Sequence, residues 1–247
     1  MTLLKPARKH AKQMTIDIDN TNPPFHELLA AAIDHWLGRS RGGYDFWKIG
    51  KLISSVDTAR YFEEHMLTTP LYGSKAKFHD AIFRMREIPG LLLEFGVAGG
   101  KSINRLAKIH PGETIYGFDS FKGLPEAWRP DYQKSHFAQP IPQVRDNVKL
   151  VVGWFNETLP AFLEEHHGDV SLLHIDCDLY SSTKVVLDLL RDRIKPGTVI
   201  VFDEYFNYPG WRMHEHKAFM EFVEENRLRF RYIGAVKSNK QVAVRVE

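Results

Sequence analysis

An apolar run, Leu91-Leu92-Leu93-Glu94-Phe95, that breaks off into Gly96-Val97-Ala98-Gly99-Gly100-Lys101-Ser102 constrains this chain more than any other stretch. A run of that length suits a strand, and the glycines after it let the backbone turn sharply and approach a ligand. Helical spacing from Ile103 to Ile109 then stops at Pro111-Gly112, and a second apolar run, Ile115-Tyr116-Gly117-Phe118, ends on Asp119-Ser120. Together these make one βαβ unit with a nucleotide-sized notch at the helix N-terminus, where Asp119 can accept two bonds from a ribose diol. Glycines at 96, 99 and 100 do not follow the dinucleotide fingerprint G-x-G-x-x-G. Glu94, two residues before the first glycine, suits a cofactor with a cationic amino group better than one with a pyrophosphate.

From Leu91 onward strands and helices alternate, which implies a mostly parallel sheet. Residues 148–153 read as the third strand, Ser171 to Asp178 as the fourth and Thr198 to Phe202 as the fifth. Ser181-Ser182-Thr183 can cap a helix running to Arg193, a further helix spans about His214 to Asn226, and residues 230–236 and 241–246 form a closing hairpin. The expected architecture is α/β: a Rossmann-like, doubly wound, mostly parallel seven-stranded sheet ending in an antiparallel hairpin, with an N-terminal helical elaboration. Residues 1–88 make that elaboration, as a lid or an interface, and residues 89–247 the ligand-binding domain. Within the former lie a loose basic arm over 1–23, an amphipathic helix carrying Phe25, Leu28, Leu29, Ile33, Trp36 and Leu37, and helices over 57–67 and 74–88 capped by Asp57 and Ser74. The aperiodic stretch from Glu126 to Pro142, with Trp128 and Tyr132, is longer than an ordinary crossover loop and reads as functional.

Ligands of open α/β sheets lie beyond the carboxyl ends of the strands, and Glu94, Asp119, Asp176, Asp178, Asp203 and Glu204 all fall at or near such ends. So many acids in one mouth repel one another unless cations share the space. Asp176, Asp203 and Glu204 come from neighbouring strand ends and could converge on one hard cation. Three oxygen ligands with positions left for water and substrate hydroxyls suit Mg²⁺. The bland alternative for Asp176 and Asp178 is charge at the N-terminus of the next helix. Trp154, at the end of the third strand, is equally a stacking face for adenine and a core residue.

The string Glu94-Phe95-Gly96-x-x-Gly99-Gly100 with Asp119 resembles the first two motifs of class I S-adenosylmethionine (SAM) methyltransferases. Tyr116-Gly117-Phe118-Asp119-Ser120-Phe121-x-Gly123-Leu124-Pro125 and Ile175-Asp176-x-Asp178-x-Tyr180-x-Ser182-Thr183 are similar to the macrocin O-methyltransferase family, which modifies sugars on natural products. The match covers roughly residues 90–205. It implies a cofactor site drawn from Glu94, Gly96, Gly99, Gly100, Ser102, Asp119, Ser120, Trp154 and Asp176, and a magnesium beside the SAM methyl group held by Asp176, Asp203 and Glu204. Where the family more often has two aspartates, this chain has Asp203-Glu204. Catechol-type relatives carry a lysine three residues after the first metal aspartate, but Leu179 stands there in this chain. Asp176, Asp178 and His214 are therefore the candidate catalytic proton acceptors, with Asp176 favoured. Tyr205, Tyr208 and Trp211 are candidates to wall an acceptor pocket. His214 and His216, two apart on a helix, point away from each other and do not make a zinc pair.

The expected function is thus SAM-dependent, Mg-dependent methylation of a small-molecule hydroxyl on a sugar, a natural-product glycoside or a phenol. A nicotinamide-dependent dehydrogenase would share Gly96, Gly99 and Asp119 but leaves Glu94 and Asp203-Glu204 unexplained; a non-catalytic binding protein with a SAM fold is the third reading. With 33 Lys and Arg against 31 Asp and Glu the formal charge is only +2, which argues against a nucleic-acid partner. The one cysteine, Cys177, excludes an internal disulfide and fits a reducing cytoplasm. No apolar run reaches the ~18 residues of a membrane span, and the N-terminus lacks a signal peptide's apolar middle. A cytoplasmic homo-oligomer is expected.

Overall fold

Strand β2 (Leu91–Phe95) lies near the middle of an eight-stranded sheet, flanked in parallel by β3 (Ile115–Asp119) and β5 (Val170–Ile175). The computed structural model describes residues 25–247, so the basic arm expected over 1–23 lies outside the described residues. Contacts divide the chain into two compact units, one ending at Ile49 and one beginning at Gly50. In the first, α1 (Phe25–Leu37) is followed by a turn in which Asp34 accepts hydrogen bonds from Arg39 and Tyr44, both at 2.6 Å. Helix α2 (Phe46–His65) begins there and continues into the second unit.

The second unit carries the sheet. Beyond β3 lies β4 (Val148–Val152); beyond β5 lie β6 (Val199–Phe202), β8 (Val242–Val246), β7 (Phe230–Val236) and β1 (Leu71–Tyr72). Strand β8 runs antiparallel to both β6 and β7, as the expected hairpin requires. Strand β1 is the one strand missing from the seven expected: only two residues long, with Pro70 before it and Gly73 after it, it has no alternation to betray it.

Helices cover both faces. Phe78 and Ile82 of α3 (Lys75–Ile82) and Ile103, Leu106 and Ala107 of α4 (Lys101–Ile109) pack with Leu92, Ile115 and Val201 on one side. Leu159 and Phe162 of α5 (Phe155–Glu165), Val186 and Leu187 of α6 (Tyr180–Leu189) and Phe219 and Phe222 of α7 (Glu215–Asn226) pack with Leu93, Phe95, Phe118 and Phe202 on the other. The buried strands are apolar on both faces, as central parallel strands must be.

Several sequence expectations shift locally. Asp57 is not a helix cap; it lies inside α2 and pairs with Arg212 at 3.0 Å. Ser74 does cap α3, accepting from the Lys77 N–H at 3.3 Å. Helix α6 starts at Tyr180 with no side-chain cap, because Ser182 and Thr183 are already inside its first turn. Strand β5 ends at Ile175 rather than Asp178, which leaves Asp176, Cys177 and Asp178 on the turn above the sheet. No helix among the described residues is long and apolar enough to cross a membrane.

Candidate active site

The glycine turn after β2 is built as its composition requires. Gly96 has φ 93°, and a Cβ on it would lie 1.9 Å from the Asp176 carbonyl oxygen, so only glycine lets the two strand ends come this close. Gly100, at φ 76°, opens α4, and Gly99 is unobstructed up to the Gln139 side chain at 3.6 Å. Asp119, expected from sequence to accept from a ribose diol, already accepts from three backbone N–H groups. Its Oδ2 accepts from the Val97 and Ala98 N–H groups at 2.9 and 2.8 Å and its Oδ1 from Phe121 at 2.8 Å, so it holds the turn in shape while bordering the cavity. Ser120 likewise borders the cavity, its hydroxyl accepting from the Lys122 N–H at 3.1 Å.

Glu94 and Ser102 are turned inward, contrary to the role expected of them. Register pairs Glu94 with His174 on neighbouring strands, and the Glu94 carboxylate accepts from His174 Nδ1 and from the Ser102 hydroxyl, each at 2.9 Å. Glu94 and His174 are fully buried. Burial alone would keep the imidazole neutral, but the carboxylates of Glu94 and Asp203 prevail and raise it to about 10. It is a buried, charged pair beneath the cavity floor rather than a ligand contact.

Above that floor lies a cavity of about 740 Å³. It is lined by the glycine turn and its neighbours Gly96, Ala98, Asp119 and Ser120, by Trp154 and Phe155, by Asp176, Cys177, Asp178 and Glu204, and by Leu124, Trp128, Arg129, Tyr132, Phe137 and Lys240. A flat indole, a glycine turn and several acids around one cavity fit a cationic nucleoside such as SAM. His214, by contrast, lies behind the wall, its ring 6.0 Å from that of Trp128, with Nδ1 buried and unpaired. Tyr205 and Trp211 are core residues packed around Tyr61 and His216, and Tyr208 backs Trp128; none of the three borders the cavity.

The three acids expected to bind magnesium do not gather around one point. Lys75, the first residue of α3, places Nζ 2.7 Å from Asp203 and 3.6 Å from Asp176. Asp203 also accepts from Gln241 Nε2 at 3.1 Å, and it is shielded from the cavity. Lys240, in the hairpin turn, lies 2.8 and 2.6 Å from the two oxygens of Glu204. With ammonium groups closing two of the three carboxylates, this donor set does not fit a hard divalent cation. A tighter group, His79, His174 and Asp203, has ligand atoms within 4.8 Å of one another; His79 Nε2, His174 Nε2 and Asp203 Oδ1 are buried without hydrogen-bond partners, and the Lys75 ammonium lies 2.7 Å from Asp203.

The environment tunes the remaining acids. Burial and the neighbouring Asp203 push the Asp176 carboxyl up to about 7, with Lys75 and His174 opposing. Burial pushes Glu204 up to about 7 against the pull of Lys240, and burial with Asp176 alongside raises Asp178. Asp178 also has φ 64°, a left-handed angle uncommon for a side chain other than Gly, Asn or Asp. Its N–H donates to Glu215 Oε1 at 3.3 Å, and the Glu204 N–H donates to Glu215 Oε2 at 2.9 Å, so one buried glutamate at the start of α7 ties both acid turns together.

Sequence reasoning missed Lys75, His174, Glu215, Lys240 and Gln241. A signal existed for His174, a lone polar residue in an apolar strand in line with Glu94. Lys75 and Lys240 stand in ordinary solvent-facing contexts, a helix start and a turn, and nothing local marks them.

Residues 93–205 match the family model described as a methyltransferase domain. The 8-demethyl-8-(2,3-dimethoxy-alpha-L-rhamnosyl)-tetracenomycin-C 4'-O-methyltransferase of Streptomyces olivaceus is 33% identical, over 48% of this chain and 54% of that protein. The demethyldecarbamoylnovobiocin O-methyltransferase of Streptomyces niveus is 27% identical, over 56% and 62%. The matches thus span less than two thirds of either relative. Among solved structures, a calicheamicin methyltransferase superposes with a TM-score of 0.58 at 21% identity, covering 91% of this chain and 93% of that one, which is a likeness of fold. The stretch over residues 93–205, which carries Gly96, Asp119, Asp176 and Glu204 of the cavity wall, is thus similar to a methyltransferase domain.

Proposed function

We propose that the protein is a SAM-dependent O-methyltransferase acting on a hydroxyl group of a sugar-bearing natural product. The observation that carries this reading is a single cavity whose wall passes without a break from Gly96, Asp119 and Trp154 to Asp176, Asp178 and Lys240. The names of the two Streptomyces relatives, both O-methyltransferases and one acting on a rhamnosyl group, support the acceptor class.

When bound, SAM supplies a methyl group already activated by its sulfonium. The chain must then align an acceptor oxygen and remove its proton. Gly96, Asp119 and Trp154 would hold the donor, with Asp176 at its cationic end. The aromatic and basic wall of Trp128, Arg129 and Tyr132 suits a sugar ring, whose C–H faces pack on flat side chains while its hydroxyls bond to the rim. Asp176, lining the cavity with a carboxyl raised to about 7, would accept the hydroxyl proton; Asp178 is the neighbouring alternative.

Calorimetry with S-adenosylhomocysteine (SAH) and with NAD separates this reading from a dehydrogenase. SAH should bind and NAD should not. A SAM-consumption assay over free sugars, natural-product glycosides and phenols then finds the acceptor class, and turnover confined to phenols would overturn the sugar assignment.

A further inference from the structure

We propose that Lys75 and Lys240 are the fixed cations of this site, occupying the place of a divalent ion among Asp176, Asp203 and Glu204, so that the acid cluster takes up no metal. This rests on reading the cavity as a methyl-transfer site. The two ammonium groups reach the cluster from opposite ends of the chain, Lys75 from the first turn of α3 and Lys240 from the turn between β7 and β8.

Lys75 Nζ bridges the two acids that end neighbouring strands, at 2.7 Å from Asp203 and 3.6 Å from Asp176. An ion shared by Asp176 and Asp203 would have to stand where this ammonium stands, since both would seek the same oxygens. Asp203 Oδ2 accepts from both Lys75 and Gln241, while Oδ1 has no hydrogen-bond partner and faces His174 Nε2 and His79 Nε2 at 3.7 and 3.9 Å. On the other side of the cluster, Lys240 engages both oxygens of Glu204 and lies 5.5 and 5.7 Å from the ring centres of Tyr208 and Trp128. Aromatic faces on one side and a carboxylate on the other pin this ammonium at the cavity wall. A divalent ion would meet two resident positive charges within a few ångströms, in a partly dry site where such repulsion is strong. Lys240 then supplies the positive charge beside the acceptor oxygen that a Lewis acid supplies elsewhere, and Lys75 acts as a positioning residue that holds Asp176 in place.

Mn²⁺ titration of the full chain followed by electron paramagnetic resonance tests this without any acceptor in hand. Wild type should hold no stoichiometric Mn²⁺ at about millimolar concentration. Lys75→Met, Lys240→Met and the double variant should gain a site about tenfold tighter or more, lost again when Asp203→Asn is added. One Mn²⁺ per wild-type chain, displaced by Mg²⁺, would overturn the proposal; so would folded Lys75→Met and Lys240→Met proteins that gain no site. SAH calorimetry on the same samples judges the methyltransferase reading separately: wild type that binds both SAH and Mn²⁺ overturns this inference alone, and wild type that binds neither overturns the reading on which it rests. Once an acceptor is found, wild-type turnover should be unchanged by EDTA, and loss of activity restored by Mg²⁺ would also refute the inference.

Discussion

Glu94 and His174 form an ion pair with no exposure to water, in which Glu94 accepts from His174 Nδ1 while His174 Nε2 lies 3.7 Å from Asp203. A pair of this kind contributes little net stability when intact, but removing one partner strands the other charge in a dry interior. His174→Leu should therefore destabilise the fold by about 3–5 kcal/mol, read from the midpoint shift in urea unfolding. The double variant Glu94→Leu/His174→Leu should recover most of that loss. Asp176 stands differently, at the edge of the cavity. If it takes the acceptor's proton, kcat should rise with pH as its carboxyl ionises, half-maximal near 7, and Asp176→Asn should abolish that limb of the profile. Cys177, buried with its thiol pushed up by desolvation and its Sγ 3.5 Å from Thr183 Oγ1, should react far more slowly with a thiol reagent in the native than in the unfolded protein.

Among the elements, the segment after β3 is the one whose form the sequence does not dictate by pattern. It is held instead by cation–π stacking: the Arg129 guanidinium lies 4.1 Å from the centre of the Trp128 ring and 4.4 Å from that of Tyr132, and the Trp128 N–H donates to the Tyr132 carbonyl at 2.9 Å through the backbone. On the proposed reading, in which this segment meets the acceptor and the glycine turn meets the donor, Trp128→Ala should raise KM for the acceptor several-fold while leaving the SAH Kd within about twofold. Steady-state kinetics beside calorimetry would separate the two. The reverse outcome, a weakened SAH affinity with unchanged acceptor KM, would reassign the loop to the cofactor. The length of residues 126–142 singled this segment out, but its stacking partners include Tyr208, some eighty residues later, which no local window connects to it.

For the whole molecule, the aromatic box around His216 links the helical layer to the sheet. Its ring lies 5.1 Å from Tyr61, 5.0 Å from Tyr205 and 4.7 Å from Trp211. Burial, aided by Arg212, pushes the imidazole down to about 4. Because the folded state binds this proton less readily than the unfolded chain, the contribution is complete above the unfolded value of about 6.5 and is lost as pH falls towards 4, amounting to about 3 kcal/mol. His216→Phe should flatten the stability profile across that window, measured by urea unfolding from pH 7 to 4. By itself the sequence determined the βαβ unit, the parallel order of its strands, the closing hairpin and the acids at the strand ends. Each of these follows from local periodicity, from glycine's freedom of backbone angle, or from the rule that ligands lie beyond carboxyl strand ends. Only the tertiary structure decided which acids face a cavity and which are spent inside. That choice depends on charges arriving from elsewhere in the chain: His174 turns Glu94 inward, Lys75 closes Asp203 and Lys240 closes Glu204. Electrostatic pairing acts through space between residues 36, 80 and 128 positions apart, and no spacing along the chain records it.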